Sequence, residues 1–301
     1  MVRKILMIDD DRMQFRLTQA HFERFQSTRY ELEWAATYED GVGKLMRGGY
    51  AACLLDYQLG DRDGLQLLRE VVASGCTVPI IFVTAESSSS VDIEAMNAGA
   101  LDYLVKGEIT VSALERSLRY ARKLGETLQT LRELATKDTL TGLINRRELD
   151  RLLAEEAERS RRFAQPMALV MVDIDHFKAV NDTHGHPTGD AVLREVAQRL
   201  KGAVRVVDRV ARYGGEEFAL LLVQTERAGG AELARQLCAK IAAQPVVVGE
   251  GISLNVTVSA GVAALFADGP DIAGLMAAAD KALYVAKARG RNRAVGSDDA
   301  G

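Results

Sequence analysis

The sequence has little of what disulfide-bonded, membrane-spanning or disordered proteins require. Its three cysteines, Cys53, Cys76 and Cys238, are far apart in apolar surroundings, so we expect reduced core thiols rather than a disulfide or zinc framework. Five prolines leave little room for low-complexity sequence. No apolar run approaches the ~18 residues of a spanning helix, and the N-terminus runs into an apolar strand without signal-peptide features. These absences predict a cytoplasmic protein without direct membrane contact.

The chain also lacks an excess of positive charge. Its formal net charge is -4, so a nucleic-acid backbone is not an expected partner. No Gly-Lys-Ser/Thr phosphate loop occurs, which disfavours an ordinary P-loop GTPase. A length of 301 residues is too great for one ordinary core and predicts two domains.

Short apolar runs alternate with amphipathic segments up to about residue 120. Runs 5–8, 51–55, 80–84 and 102–105 predict buried strands, with a weaker strand near 31–35 that places Trp34 in the core. Five such strands predict a doubly wound α/β domain with a parallel sheet, whose ligands bind at the carboxyl ends of the strands.

Three carboxylates are expected at that edge of the sheet. Asp9 and Asp10 follow the first strand and Asp56 follows the third. Clustered carboxylates repel one another unless a hard cation such as Mg²⁺ lies among them. Thr84 and Lys106 end the next two strands, and together these groups could bind a phosphoryl group on Asp56. Singly, each is as well explained as a helix cap or loop residue; the set of five is not.

This region, about residues 3 to 122, resembles the response-regulator receiver family. The match is carried by those five residues together with Asp63, Gly64 and Tyr103. The resemblance implies that Asp56 is the phosphoacceptor for a cognate histidine kinase. The implied Mg²⁺ ligands are Asp9 or Asp10, Asp56 and the backbone carbonyl of Gln58, and the implied switch residues are Thr84, Tyr103 and Lys106.

The region departs from the receiver pattern at two glycines. Gly60 and Gly107 stand where the family commonly has proline, so the loop geometry there is open. Asp11 is expected outside the metal shell.

Residues 110–136 predict one long helix that links the domains. One heptad register runs through Leu114, Leu118, Ala121, Gly125 and Leu128, and a second through Leu124, Leu128, Leu131 and Ala135. Two interpretations remain open: an amphipathic helix packed on its own domain, or a dimeric coiled coil with a register break.

A second domain is predicted over residues 137–295, after a first domain at 1–122 and before a loose tail at 296–301. Its strands are expected at 168–173, 218–222 and 256–262, with a hairpin between the first two. If those strands are neighbours, Asp173 converges with Glu216, which follows the tight turn at Gly214 and Gly215. Paired acids of this kind suit Mg²⁺ and a nucleoside triphosphate, although the turn alone is equally typical of a solvated hairpin tip.

Three polar residues follow Asp173 at short spacings: Asn181, His186 and Asp190. An amide and a carboxylate together can bind a guanine edge, because the carboxylate accepts from N1 and from the exocyclic amine. Adenine offers no such pair of donors.

Residues 136 to 295 resemble the GGDEF family of diguanylate cyclases, with the signature present as Gly214, Gly215, Glu216, Glu217 and Phe218. Supporting motifs occur in family order at 138–143, 145–147, 173–178, 282–284 and 290–292. The resemblance implies an α+β domain with a mostly antiparallel, palm-like sheet. It implies two GTP condensed into cyclic di-GMP across a homodimer, since one domain holds one GTP.

The resemblance also implies site roles. The metal ligands, for Mg²⁺ or alternatively Mn²⁺, are Asp173, the carbonyl of Ile174, Glu216 and Glu217. Guanine contacts are Asn181 and Asp190, with His186 and Phe177 near the substrate. Phosphate contacts are Lys178, Lys287 and Arg291. An inhibitory product site is implied at Arg205 and Asp208, whose spacing is equally that of a surface ion pair.

Two rival functions differ in their sequence requirements. A silent GGDEF-like sensor of cyclic di-GMP typically loses the signature acids, and all of them remain here. A cyclase for adenine nucleotides does not need Asp190.

Overall fold

The computed structural model describes residues 3–25, 28–85, 89–248 and 251–300, and its contacts divide the chain into two compact units, Met1–Arg132 and Glu133–Gly301. All three cysteines are free thiols, two buried and one half-buried. Within the described ranges, no helix combines the length and apolar composition needed to cross a bilayer.

The first unit is a five-stranded parallel sheet between two layers of helices, which confirms the predicted fold. The strand order is β2-β1-β3-β6-β7. The elements are β1 (Arg3–Ile8), α1 (Arg12–Glu23), β2 (Tyr30–Ala35), α2 (Tyr38–Arg47), β3 (Ala52–Asp56), β4 (Gln58–Leu59), β5 (Arg62–Asp63), α3 (Gly64–Ala73), β6 (Ile80–Thr84), α4 (Ser89–Ala98), β7 (Asp102–Val105), a 3₁₀ turn (Lys106–Glu108) and α5 (Val111–Thr136).

Alternation along β1 builds a core on each face of that sheet. Leu6 and Ile8 pack with residues of α2, α3 and α4, whereas Ile5 and Met7 pack with residues of α1 and α5. Both faces are therefore covered, and the carboxyl ends of the parallel strands share one edge.

Helix α5 uses its two registers differently. Leu114, Leu118 and Ala121 are buried in the core of the first unit. Leu124, Leu128 and Leu131 are 44%, 37% and 55% exposed. The first register is thus taken up by packing within the unit, and the second lies open.

The second unit is built on a mixed six-stranded sheet, mostly antiparallel as predicted. The order is β15-β14-β9-β11-β10-β8, with parallel pairs only at its two ends. The elements are β8 (Ile144–Asn145), α6 (Arg146–Phe163), β9 (Met167–Ile174), α7 (Phe177–His184), α8 (His186–Lys201), β10 (Arg209–Gly214), β11 (Glu217–Val223), α9 (Arg227–Ala243), β12 (Val246–Val248), β13 (Ile252–Leu254), β14 (Val258–Ala264), α10 (Ile272–Ala288), β15 (Ala294–Gly296) and a 3₁₀ turn (Ser297–Ala300).

Strand β9 is the centre of this unit, and every residue in it is buried. Val170 and Val172 pack into the core on one face, and Leu169 and Met171 into the core on the other. A fully buried strand reads as a continuous apolar run, which is why the sequence reveals it so clearly.

Two sequence expectations differ from this fold. Strands β9 and β11 are antiparallel neighbours, but the hairpin partner of β11 is β10, a strand that the sequence analysis does not predict. Residues 297–300 are not a loose tail: they form the final 3₁₀ turn, and Ala300 packs against Ala282 and Ala286 of α10.

Candidate functional site

The five polar residues predicted at the edge of the first sheet lie at its carboxyl end. Carboxylate oxygens of Asp9, Asp10 and Asp56 lie within 4.8 Å of one another. The Nζ atom of Lys106 is 2.8 Å from Asp56 Oδ1 and 3.1 Å from Asp9 Oδ2. Thr84 is buried at the end of β6.

Burial makes this cluster costly without a cation. It raises the pKa of Asp56 to about 6, against the opposing effect of Lys106, and it also raises the pKa of Asp9. Burial alone would lower the pKa of Lys106, but Asp56 and Asp9 outweigh it and the pKa is raised. One ammonium for three carboxylates leaves net negative charge, and all-oxygen donors suit a hard divalent cation.

The loop after Asp56 explains one departure from the receiver pattern. Gly60 has φ +62°, and its N–H donates to Asp10 Oδ2 at 2.9 Å. Proline has neither that conformation nor that donor, so it is excluded here and glycine is favoured. Gln58, in the adjoining two-strand hairpin, is exposed.

The other receiver residues are placed as follows. Tyr103 is 41% exposed. Gly107 lies in the 3₁₀ turn after β7, with a negative φ. Asp11 caps α1, its Oδ1 accepting from the N–H of Met13 at 2.7 Å.

Trp34 was expected in the core but is half-buried beside the acidic cluster. Its indole Nε1–H donates to the backbone carbonyl of Asp9 at 2.7 Å, and its ring stacks on Phe15. The end of β2 is thereby tied to the chain that carries the carboxylates. A single aromatic residue at a strand end gives no sequence signal of such a contact.

In the second unit, acidic residues from neighbouring strands meet at one end of the sheet. Glu217 at the start of β11 pairs in register with Asp173 of β9, and the N–H of Ile174 donates to the carbonyl of Glu216 at 3.3 Å. Lys287 Nζ lies 2.8 Å from Asp173 Oδ2. Among the described residues of this unit, no three His, Cys, Asp or Glu side chains bring their ligand atoms as close together as the first unit's carboxylates do.

The electrostatics of this end of the sheet favour a cation. Burial raises the pKa of Asp173 although Lys287 opposes it, and burial followed by Asp173 raises the pKa of Glu217. A buried carboxylate next to half-buried ones provides oxygen donors of the kind that fit a divalent metal.

The turn of the signature is held by an arginine that the sequence analysis missed. Arg212 donates from Nε and Nη2 to the carbonyl of Gly215, at 3.0 and 2.8 Å. Its Nη1 lies 3.2 Å from both carboxylate oxygens of Asp138. Burial would raise the pKa of Asp138, but hydrogen bonds from Thr141 and the charge of Arg212 lower it overall. The start of the second unit thus braces the Gly-Gly turn.

The residues expected to bind guanine lie on α7 and α8, which pack closely. An added Cβ at Gly189 would lie 1.9 Å from Asn181 Oδ1 and 3.2 Å from Phe177 Cζ. Asp190 follows Gly189 and is half-buried, whereas Lys178 and His186 are exposed. Glycine at this crossing lets the Asn181 side chain pack against position 189, next to Asp190 in the chain.

Lys287 and Arg291 lie at the C-terminal end of α10. Lys287 is half-buried and Arg291 is exposed in a turn with positive φ. The nearby Asp175, which received no role in the sequence analysis, is buried.

Arg205 and Asp208 form an ion pair within their own segment. Nε and Nη2 of Arg205 each lie 3.0 Å from the carboxylate. Asp208 also accepts from the N–H groups of Arg205 and Val223, at 3.0 and 3.1 Å. The structure therefore contains the ordinary salt bridge that this spacing also predicts. Asp208 is buried, and both of its carboxylate oxygens accept hydrogen bonds.

A doubly wound unit with an acidic edge, followed by a mostly antiparallel unit with paired acids at its strand ends, is the architecture of a receiver joined to a nucleotide cyclase domain. Residues 5–118 match the response regulator receiver domain, and residues 135–293 match the diguanylate cyclase GGDEF domain. The chain belongs to the GGDEF family and carries an N-terminal receiver domain.

Known proteins agree with this assignment. Response regulator PleD of Caulobacter vibrioides is 41% identical over 179 residues, covering 59% of this chain and 39% of PleD. Diguanylate cyclase DosC of Escherichia coli is 38% identical over 52% of this chain and 34% of DosC. The coiled coil and GGDEF domain of DgcB from Caulobacter crescentus, in complex with c-di-GMP, aligns with a TM-score of 0.57 and 31% identity, covering 62% of this chain and 97% of that one. The chain thus spans about two fifths or less of the curated relatives' length.

Proposed function

We propose that this protein is an active diguanylate cyclase, which condenses two GTP into cyclic di-GMP with release of pyrophosphate. The observation that carries the proposal is the register pairing of Asp173 with Glu217, with Glu216 and Lys287 beside them. The intact signature acids favour catalysis over a silent cyclic di-GMP sensor.

The site residues have three roles: some hold the metal, some bind the phosphates and some bind guanine. Asp173, the carbonyl of Ile174, Glu216 and Glu217 would hold Mg²⁺, or alternatively Mn²⁺, which when bound offsets charge on the α-phosphate as a 3′-hydroxyl attacks in line. Lys178, Lys287 and Arg291 bind phosphate oxygens. Asn181 and Asp190 bind guanine, with Phe177 and His186 beside the substrate.

The active form is a homodimer, because the reaction joins two GTP and each domain holds one. The open register of α5, through Leu124, Leu128 and Leu131, is the surface that supports this proposal. Apolar residues at this spacing pair helices in coiled coils. Segment 110–136 thus acts as a linker between a receiver domain at 1–122 and a cyclase domain at 137–295.

Phosphorylation of Asp56 by a cognate histidine kinase controls the activity by rearranging the dimer. Asp9, Asp10, Asp56 and the Gln58 carbonyl would hold Mg²⁺, which when bound would offset charge on the phosphoryl group, and Thr84, Tyr103 and Lys106 respond to the phosphorylation. Because Leu114, Leu118 and Ala121 are buried in their own unit, the rearrangement is expected in the open register. Insertions of one to four residues between Ala121 and Leu128 should change basal activity with insertion length; constant activity across the series would contradict this mechanism.

Product inhibition acts through Arg205 and Asp208. An arginine fork and a carboxylate can bind a guanine edge and a phosphate, provided that Arg205 leaves its present ion pair. GTP, cyclic di-GMP and the kinase are the proposed partners. Nucleic acid and membrane are not, and the proposed compartment is the cytoplasm.

The deciding experiment incubates the purified protein with GTP and Mg²⁺, with and without beryllofluoride, and separates the products by chromatography. We expect cyclic di-GMP, increased by beryllofluoride in the parent protein but not in Asp56→Asn. ATP in place of GTP should give no cyclic product. Cyclic di-GMP binding without synthesis under any condition would favour the silent sensor.

A further inference from the structure

Asp175 is a buried carboxylate that joins three segments around the candidate active site. It is 5% exposed. Its Oδ1 accepts from the Ser259 hydroxyl at 2.7 Å, and its Oδ2 accepts from the Thr257 hydroxyl at 2.7 Å and from the N–H of Asn292 at 3.0 Å. Asp175 thereby connects the chain after β9, the start of β14 and the turn after α10.

None of these partners is a cation. Across the described ranges, no lysine or arginine forms an ion pair with Asp175. A buried carboxylate is costly unless hydrogen-bonded, and such bonds are strong because the acceptor is charged. The proposed reaction gives Asp175 no part, so its burial calls for a different explanation.

The turn that Asp175 contacts has an unfavourable backbone. Arg291 and Asn292 have φ values of +63° and +47°, a left-handed conformation that residues with a side chain rarely adopt, and here it occurs twice in succession. Such geometry persists only where surrounding contacts fix it, and it concentrates at functional sites. Hydrogen bonds to this turn include Asn292 N–H to the Asp175 carboxylate, Arg291 N–H to the carbonyl of Ala286 at 3.1 Å, and Arg293 Nε to the carbonyl of Arg291 at 2.9 Å.

The same end of β9 is tied to the end of α10 at a second point. Lys287 Nζ contacts Asp173 Oδ2 at 2.8 Å, two residues before Asp175. The two contacts together fix the last turn of α10 and the following residues against the strand that carries the acid. Lys287 and Arg291 are four positions apart, on the segment held between them.

We propose that Asp175 is a positioning residue, which holds the left-handed turn so that Arg291 is preset for the triphosphate of GTP. This inference rests on the proposed function. Asp175 touches no reacting atom; it acts through the N–H of Asn292. Guanine recognition by α7 and α8 does not depend on it.

The test measures binding by calorimetry, with Mg²⁺ and α,β-methylene GTP, whose bridging carbon prevents release of pyrophosphate. GMP serves as the ligand without the β- and γ-phosphates. In Asp175→Ala we expect a roughly tenfold weaker affinity for α,β-methylene GTP, equal to one strong charged contact, and less than a twofold change for GMP. Asp175→Asn should stay near the parent, because its amide oxygen can accept from Asn292 and Thr257 while its NH₂ donates to Ser259.

A second variant keeps the test valid if Asp175→Ala does not fold. Asp175→Leu combined with Thr257→Val and Ser259→Ala replaces the carboxylate and both of its hydroxyl partners by apolar groups, so only the Asn292 N–H loses its acceptor and the folding cost is smaller than in Asp175→Ala. It should show the same selective loss for α,β-methylene GTP. In an Arg291→Ala background, Asp175→Ala should cause no further loss of affinity for α,β-methylene GTP, because Asp175 acts through Arg291.

The outcomes separate this inference from the proposed function. Equal affinity of the parent, Asp175→Ala and the Asp175→Leu triple variant for α,β-methylene GTP overturns the inference alone, as does an equal loss for GMP or additive effects with Arg291→Ala. Absence of α,β-methylene GTP binding by the parent protein overturns both.

Discussion

Replacing Gly189 by alanine should weaken GTP binding while leaving the fold intact. The added Cβ would lie 1.9 Å from Asn181 Oδ1, 3.0 Å from Asn181 Cγ and 3.2 Å from Phe177 Cζ. Ordinary contact requires the amide oxygen to retreat by about 1.5 Å. Because that oxygen ends a short, rotatable side chain, we expect Asn181 to turn away from guanine rather than the helices to separate.

The magnitudes favour a functional defect over a structural one. Alanine within a helix gains about 1 kcal/mol over glycine, which offsets the tight contact with Phe177, so the free energy of unfolding should stay within about 1 kcal/mol of the parent. Loss of one or two amide hydrogen bonds to guanine, at about 1 kcal/mol each, should raise the dissociation constant roughly five- to thirtyfold.

The assay is calorimetric binding of α,β-methylene GTP beside urea unfolding, with Gly229→Ala as the matched control. Gly229 is an exposed helical glycine of the same unit, so its substitution should leave binding unchanged. Gly189→Ala and Asn181→Ala should be non-additive in binding. Unchanged affinity in Gly189→Ala, with the fold retained, would show that Asn181 does not contact guanine.

Three further changes have defined outcomes. Gly261→Ala places a Cβ 2.2 Å from two backbone atoms of α10, so the second unit should lose at least about 1–3 kcal/mol in urea unfolding, and an unchanged midpoint would contradict this close approach. Asp138 has a lowered pKa beside Arg212, so its contribution to stability is present above its ordinary pKa and is lost as pH falls through the lower folded value. Asp138→Asn should therefore flatten the fall in melting temperature below about pH 4, and an identical acid profile would refute this role. Gly60→Pro removes the N–H donor to Asp10 and the φ of +62°, so phosphorylation by acetyl phosphate should require more Mg²⁺ for half-saturation; an unchanged requirement would argue against the tie.

Much of this architecture can be predicted from patterns that are visible in the sequence. Buried strands such as β9 are continuous apolar runs, and acids such as Asp56 and Asp173 stand at or beside their ends. The period of the apolar residues and the position of the acids are enough to predict the first unit's site, because the carboxyl ends of parallel strands share one edge. Strand β10 is missed because four of its six residues are partly or fully exposed and it carries Arg209 and Arg212. Its place in the sheet comes from the tertiary pairing with β11.

What the sequence does not reveal is how distant side chains brace the sites. The bond from Arg212 to Gly215 depends on a turn geometry, and that from Asp175 to Asn292 spans 117 residues. Neither has a local periodicity. The Gly60 contact with Asp10 had a faint signal, since glycine in place of a common proline indicates either positive φ or a needed donor.

The contact between Trp34 and the carbonyl of Asp9 allows the acidic cluster to be followed by tryptophan fluorescence. Trp34 is the single tryptophan of the chain, so tryptophan fluorescence comes entirely from the first unit. Cation binding or phosphoryl transfer next to Asp9 would alter the electric field at the indole, while nucleotide turnover in the second unit has no tryptophan to disturb. Tryptophan fluorescence would therefore follow the signal at the receiver, and a parallel pyrophosphate assay would follow the output, both in the unlabelled protein.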